Sequence, residues 1–200
     1  MALEHERTYE FDGPLPTLVG AGPVATERPL PVRHLAARYY DTEDGRLAAA
    51  GITLRRRTGG EDAGWHLKLP VGDGVREEIH ASLTAEGQGP PAELTALVRS
   101  RLRRATPRPV IALVTERRPT LLAGVGGTPL AEAVLDHVTA SRDGRITHWS
   151  EVEVELVEGT DLAVGDAVLD AVERRLTAAG ARRSAAPSKL ARALAETGGC

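Results

Sequence analysis

Polar and apolar residues alternate along much of this 200-residue chain, and they predict strands before they predict anything else. Residues 2–11 read as a strand, with Glu4, Glu6, Thr8 and Glu10 on one face and His5, Arg7, Tyr9 and Phe11 on the other. Residues 24–42 hold two extended runs around Pro29 and Pro31, and Asp44 to Gly51 suits a brief helix with Asp as N-cap. Short strands follow at about 52–58, 64–70 and 75–83, each bounded by Gly or Pro. Pro91 opens a helix over Ala92–Arg104, whose Leu94, Leu97, Val98 and Leu102 form an apolar stripe. Longer strands are predicted near 110–125, 130–141 and 145–158, with turns at Gly126-Gly127-Thr128 and Arg142-Asp143-Gly144. Thr160 or Asp161 caps a helix reaching about Ala179, where Gly180 stops it, and a last helical segment follows Pro187. About eight strands joined mostly as hairpins, with a few helices, predict an α+β fold: a closed, mainly antiparallel barrel with flanking helices.

Several of these strands place charge where a barrel should place its core. Glu151, Glu153 and Glu155 share a face, as do Glu4 and Glu6, Arg55 and Arg57, Arg76 and Glu78, and Thr115 and Arg117. Taken singly, each reads as a solvated face of an antiparallel sheet. Five strands doing so together weaken that reading. Three Glu spaced about 7 Å apart along one strand repel one another unless cations neutralise them. Carboxylates without thiols or clustered His suit a hard cation such as Mg²⁺ or Mn²⁺. Nearby Arg and Lys faces suit a polyanion with several phosphate oxygens.

Composition bounds this picture without redirecting it. Apolar residues make up 42% and aromatics 3%, so the core is aliphatic. With 25 Lys plus Arg against 28 Asp plus Glu, the net charge of −3 lacks the basic excess of a nucleic-acid coat. Nothing spans a membrane by hydropathy, the acidic start is unlike a signal peptide, and the single Cys200 permits no disulfide framework. Those features predict a cytoplasmic protein, with residues 1–196 as one domain and 197–200 as a flexible tail. The six His show no metal-ligand spacing, so His66 and His80 read as structural strand positions. Gly124-Val125-Gly126-Gly127 lacks the Lys and helix of a phosphate loop, and the basic run Arg99–Arg104 reads as a solvated helix face.

The same residues carry a resemblance. Glu4-His5-Glu6-Arg7-Thr8, Tyr39-Tyr40-Asp41-Thr42, Leu54-Arg55-Arg56-Arg57, Trp65-His66-Leu67-Lys68-Leu69-Pro70, Arg76-Glu77-Glu78, Thr115-Glu116-Arg117-Arg118, Ser150 through Leu156 and Ser188-Lys189 occur in the order seen in CYTH domains. The chain thus resembles the triphosphate tunnel metalloenzymes, which include inorganic and thiamine triphosphatases and one class of adenylate cyclase. The resemblance implies an eight-stranded antiparallel tunnel. It implies that Glu4, Glu6, Asp136, Glu151 and Glu153 bind Mg²⁺ or Mn²⁺, with Glu155 a possible addition. Arg55, Arg57, Lys68, Arg76, Arg117 and Lys189 would hold phosphates, and Glu4, Glu6, Arg55, Arg57 and Lys68 would form the catalytic set. It further implies divalent-metal-dependent hydrolysis of inorganic triphosphate or a small organic triphosphate. The expected ligand is a triphosphate or polyphosphate, with no nucleic acid or membrane partner, in a monomer or homodimer. Related bacterial chains continue into a helical polyphosphate-binding domain called CHAD, so a fused CHAD domain is expected in the full-length protein. One position departs: the signature Glu-x-Glu-x-Lys ends here in Thr8, which leaves a binding module with little catalysis as the alternative, and adenylate cyclase as a third.

Overall fold

The structure is a computed structural model that describes residues 2–72 and 75–198. Of the tail expected at 197–200, Gly199 and Cys200 lie outside the described residues. Ten strands form one sheet: β1 (Ala2–Glu10), β2 (Thr26–Pro29), β3 (Arg33–Asp41), β4 (Thr53–Thr58), β5 (Gly64–Gly72), β6 (Val75–Ala81), β7 (Arg108–Ala123), β8 (Pro129–Arg142), β9 (Arg145–Leu156) and β10 (Arg182–Arg183). Eight of them close an antiparallel ring in the order β1-β6-β5-β4-β3-β7-β8-β9, and β9 returns to β1. The short β2 pairs with β7 and β10 with β1, outside the ring. Closure depends on β1 changing partners along its length. Ala2–His5 pair with β6, and Glu6–Glu10 pair with β9.

The core lies largely outside the barrel. Helix α4 (Leu162–Ala178) is capped by Asp161, whose carboxylate accepts the amides of Ala163 and Val164. Its Val168, Leu169, Val172 and Leu176 pack on Tyr9, Ala133, Leu135, Val152 and Val154, the apolar faces of β1, β8 and β9. The period of two then obliges Glu4, Glu6, Asp136, Glu151 and Glu153 to face inward. On the far side, α2 (Ala92–Leu97) and α3 (Arg99–Leu102) cover Tyr40, Leu54, Trp65 and Leu67. The single helix expected over Ala92–Arg104 is therefore broken at Val98, whose φ is −109°. The break keeps Leu94, Val98 and Leu102 on the barrel wall and turns Leu97 out to 55% exposure.

Helix α1 (Arg46–Ala49) also differs in its cap. Its first amides go to Asp41 (2.8 Å from Leu47, 2.9 Å from Ala48) and to the Thr42 hydroxyl, not to Asp44. Asp44 accepts from Thr42 and Arg46 instead. Helix α5 (Lys189–Thr197), capped by Ser188, has the placement that matters most for the tunnel. Its Leu190 and Ala193 pack against Tyr39, Leu113, Val138 and Trp149, which continue the inward faces of their strands. One end of the barrel is thereby filled with apolar side chains, and Lys189 enters the lumen from that end.

Candidate active site

Twelve of the charged residues singled out above line one cavity of about 170 Å³: Glu4, Glu6, Arg55, Arg57, Lys68, Arg76, Glu78, Arg117, Glu151, Glu153, Glu155 and Lys189. They do so because their strands alternate in phase around the ring. Neighbouring β9 and β1 carry the carboxylates, with Glu6 opposite Glu155 and Thr8 opposite Glu153. Neighbouring β4 and β5 carry Arg55, Arg57 and Lys68, and β7 adds Arg117. The lumen has an acidic wall and a basic wall.

Asp136 alone among the expected ligands is fully buried behind the lining. It faces Arg117 across the β7/β8 ladder and accepts both Nε (2.9 Å) and Nη2 (2.7 Å) from it. Nη2 of Arg117 also donates to Glu153 at 2.7 Å. Lys189 lies 3.0 Å from Asp136 and contacts Glu151 and Glu153. Burial opposes the charges of Arg117 and Lys189, yet Asp136, Glu151 and Glu153 outweigh it and raise both above their ordinary ranges. Burial likewise opposes charge on Glu153, but Lys189 and Arg117 hold it far below the carboxylate range. The oxygens of Asp136, Glu151 and Glu153 lie within 4.8 Å of one another, and Lys189 already stands among them.

The other carboxylates lack that neutralisation. Burial, with Glu6 and Glu153 adding to it, pushes Glu155 up to about 7 despite Lys68. The nearest cation to Glu6 is Arg76, at 3.8 Å. Burial and a shared hydrogen bond with Glu78 push Glu4 up to about 8, although Lys68 donates to Glu4 at 2.6 Å. An all-oxygen set short of positive charge fits a hard divalent cation. Glu6 and Glu155, opposite each other across the β1/β9 ladder, are short of such charge, whereas Asp136, Glu151 and Glu153 are already engaged by Lys189.

The basic wall has the opposite shortage. Burial, followed by repulsion from Arg55 and Arg117, lowers Arg57 to about 9. The Nε–H groups of Arg55 and Arg57 are buried without an acceptor. Unpaired buried donors are costly, and a phosphate oxygen is the acceptor their fork geometry fits.

Sequence reasoning missed several lining residues. Glu78 shares a face with Arg76 and lies in the Arg76-Glu77-Glu78 block, yet the sequence reading assigns it no role. Asp62 reaches the lumen from the β4–β5 loop and pairs with Arg57, and no local pattern marks it. Tyr39, whose hydroxyl accepts from Arg55 at 3.3 Å, enters the sequence reading only within the Tyr39-Tyr40-Asp41-Thr42 block, with no role assigned. The departure at Thr8 is real in three dimensions. Thr8 faces the cavity, while Arg7 points out to Asp170 and Glu173 on α4.

Comparisons with known proteins agree with this geometry. The CYTH domain family matches residues 30–193. An uncharacterized protein of Mycobacterium tuberculosis strain H37Rv is 41% identical over 209 residues, covering 98% of this chain and 40% of that protein. The chain thus spans about 40% of the length of the curated relatives it matches. Two solved structures share the fold. A proposed adenylate cyclase from Bacillus halodurans superposes with a TM-score of 0.63 at 17% identity, covering 96% of this chain and 98% of its own. A proposed adenylyl cyclase from Hippeastrum, described as revealing a dominant triphosphatase activity, gives 0.52 at 19% identity, covering 98% and 96%. On the family match and the closed eight-stranded tunnel together, the chain belongs to the CYTH domain family.

Proposed function

We propose that the tunnel binds a triphosphate and hydrolyses its terminal anhydride with the help of Mg²⁺ or Mn²⁺. The observation that carries this reading is the pair of opposed shortages within one cavity: buried Arg donors without an acceptor, facing carboxylates without a cation. A metal triphosphate resolves both at once. Arg55, Arg57 and Lys68 would hold phosphate oxygens on the basic wall, with Arg76, Arg117 and Lys189 along the rest of the lumen. Glu6 and Glu155, with Glu4 on the same face of β1, would hold the cation, while Asp136, Glu151 and Glu153 steady Arg117 and Lys189. Bound there, a divalent ion would supply charge neutralisation and lower the pKa of a coordinated water. The fixed guanidinium groups stabilise charge building on the transferred phosphoryl oxygens, without reorganising during the step.

The test is inorganic phosphate release from tripolyphosphate with Mg²⁺ or Mn²⁺, comparing the unaltered chain with Glu6→Gln. The expected loss is about 100-fold or more. Equal release by both proteins would overturn the hydrolase reading.

Thr8 supports a second reading, a module that binds polyphosphate with little turnover. A lysine there would stand opposite Glu153 and put a cation at the acidic wall, which Thr8 cannot supply. Calorimetric binding of tripolyphosphate without phosphate release, and release gained in Thr8→Lys, would favour this reading over the first.

A further inference from the structure

His66 and His80 meet directly across the β5/β6 ladder, with ring centroids 4.3 Å apart. Glu78 stands beside both. His66 Nδ1 is 2.9 Å from one of its oxygens, and His80 Nε2 is 2.8 Å from the other. The remaining nitrogen of His66, Nε2, lies 2.9 Å from the backbone carbonyl of Asp62. A carbonyl oxygen can only accept, so Nε2 carries the proton. In a neutral imidazole, Nδ1 is then a bare lone pair aimed at a carboxylate. Protonating it would create a fully buried imidazolium near Arg55 and Arg57. Burial, reinforced by those two charges, lowers His66 to about 4. The other cations near Glu78, Arg55 and Lys68, stand at 3.9 and 3.8 Å, beyond good hydrogen-bonding distance. The Nδ1 lone pair thus faces the carboxylate oxygen with no proton between them.

We propose that His66, Glu78 and His80 form a second metal site, selective for a borderline transition-metal ion of the zinc(II) or cobalt(II) class. Two imidazole nitrogens and one carboxylate oxygen are the donors such ions prefer, and a poor set for Mg²⁺. The ligand atoms already lie within 4.8 Å of one another. A tetrahedral ion with bonds of about 2.1 Å needs its ligand atoms roughly 3.4 Å apart, a separation reached from here by side-chain adjustments of about 1 Å. The Asp62 carbonyl on Nε2–H fixes the His66 tautomer that presents Nδ1, as outer-shell partners of metal-bound His do. His66 is fully buried but the His80 side chain is 48% exposed, which gives an entry path and room for a water as fourth ligand. Such an ion would also draw Glu78 away from Arg55 and Lys68, so occupancy of this site would bear on the basic wall.

Tag-free protein is titrated with Co²⁺ while the visible ligand-field absorption of the four-coordinate ion is followed. The expected result is saturation at one equivalent, displacement by Zn²⁺ and indifference to excess Mg²⁺. Affinity should fall at least about tenfold in His80→Ala, and recover in His80→Cys, which restores a ligand. Because His80 is partly exposed, circular dichroism of His80→Ala should match the unaltered chain. Glu6→Gln should leave the titration unchanged. No saturable absorption, displacement by Mg²⁺, or equal affinity in the unaltered chain and His80→Ala would overturn the proposal. So would a signal lost in Glu6→Gln and kept in His80→Ala, which would assign the ion to the carboxylate wall. The readout is metal binding, so the outcome is independent of whether the tunnel hydrolyses triphosphate.

Discussion

The ammonium of Lys189 contacts three carboxylates at once, Asp136, Glu151 and Glu153, and is nearly inaccessible. Replacing it by methionine keeps much of the aliphatic stem but leaves Asp136 and Glu153 with Arg117 alone, and Glu151 with only the indole N–H of Trp149, among the contacts seen. Stripping one partner from a buried ionic cluster costs about 3–5 kcal/mol. For a domain of this size that lowers the unfolding midpoint by on the order of 10 °C, which calorimetry of Lys189→Met would show. An unchanged midpoint would mean that the three carboxylates are neutralised in some other way. Lys189 was legible in the sequence through the Ser-Lys resemblance, and its inward direction follows from the cap at Ser188. What it touches was not legible. Asp136 reads as one more acidic ligand until the β7/β8 register sets it opposite Arg117, and register is a property of two strands rather than one. The same limit hid the His pair: residues 66 and 80 become neighbours only when β5 and β6 align.

At the scale of elements, the strands were read well and the helices less so. The alternation of Glu with Val in Glu151–Glu155 already separates an inner from an outer face, because β9 has no freedom to do otherwise once Val152 and Val154 are buried under α4. Helix docking carries no such local signature. Ala92–Arg104 has a continuous helical pattern, yet it bends at Val98 to follow the wall. The nine-residue α5 gives no sign in its sequence that it packs against inward-facing positions. Its role in holding the floor of the tunnel can be measured. Leu190 is 1% exposed, and Leu190→Ala should destabilise the domain by about 2–5 kcal/mol in denaturant titration. It should also weaken tripolyphosphate binding, since α5 presents Lys189. Leu97→Ala, at a leucine of the broken helix that is 55% exposed, should stay within about 0.5 kcal/mol. Equal losses at the two sites would contradict the docking of α5 described above.

For the whole molecule, near-neutral net charge conceals a strong internal division, and pH should expose it. The charged interior is enclosed by strands whose outer apolar faces pack under helices. Burial, with neighbouring carboxylates adding to it, has raised Glu4 to about 8 and Glu155 to about 7, from an unfolded value near 4.5. Between those limits the folded chain binds protons that the unfolded chain has released. Stability from these groups is therefore fully present below pH 4.5 and is lost as pH rises through 7 and then 8. His66 works in the opposite sense, because its folded value of about 4 lies below its unfolded 6.5, but that contribution is complete above pH 6.5. Between pH 6.5 and 8.5 the carboxylates decide the sign. The unfolding midpoint of metal-free protein should fall steadily across that range, and Glu155→Gln, neutral at every pH, should flatten its lower half. Millimolar Mg²⁺ competes with the same protons, so it should raise the midpoint more at pH 8.5 than at pH 6.5. A midpoint that is flat or rising without metal would show that the acidic wall is already ionised. A wall ionised without metal does not wait for a divalent cation.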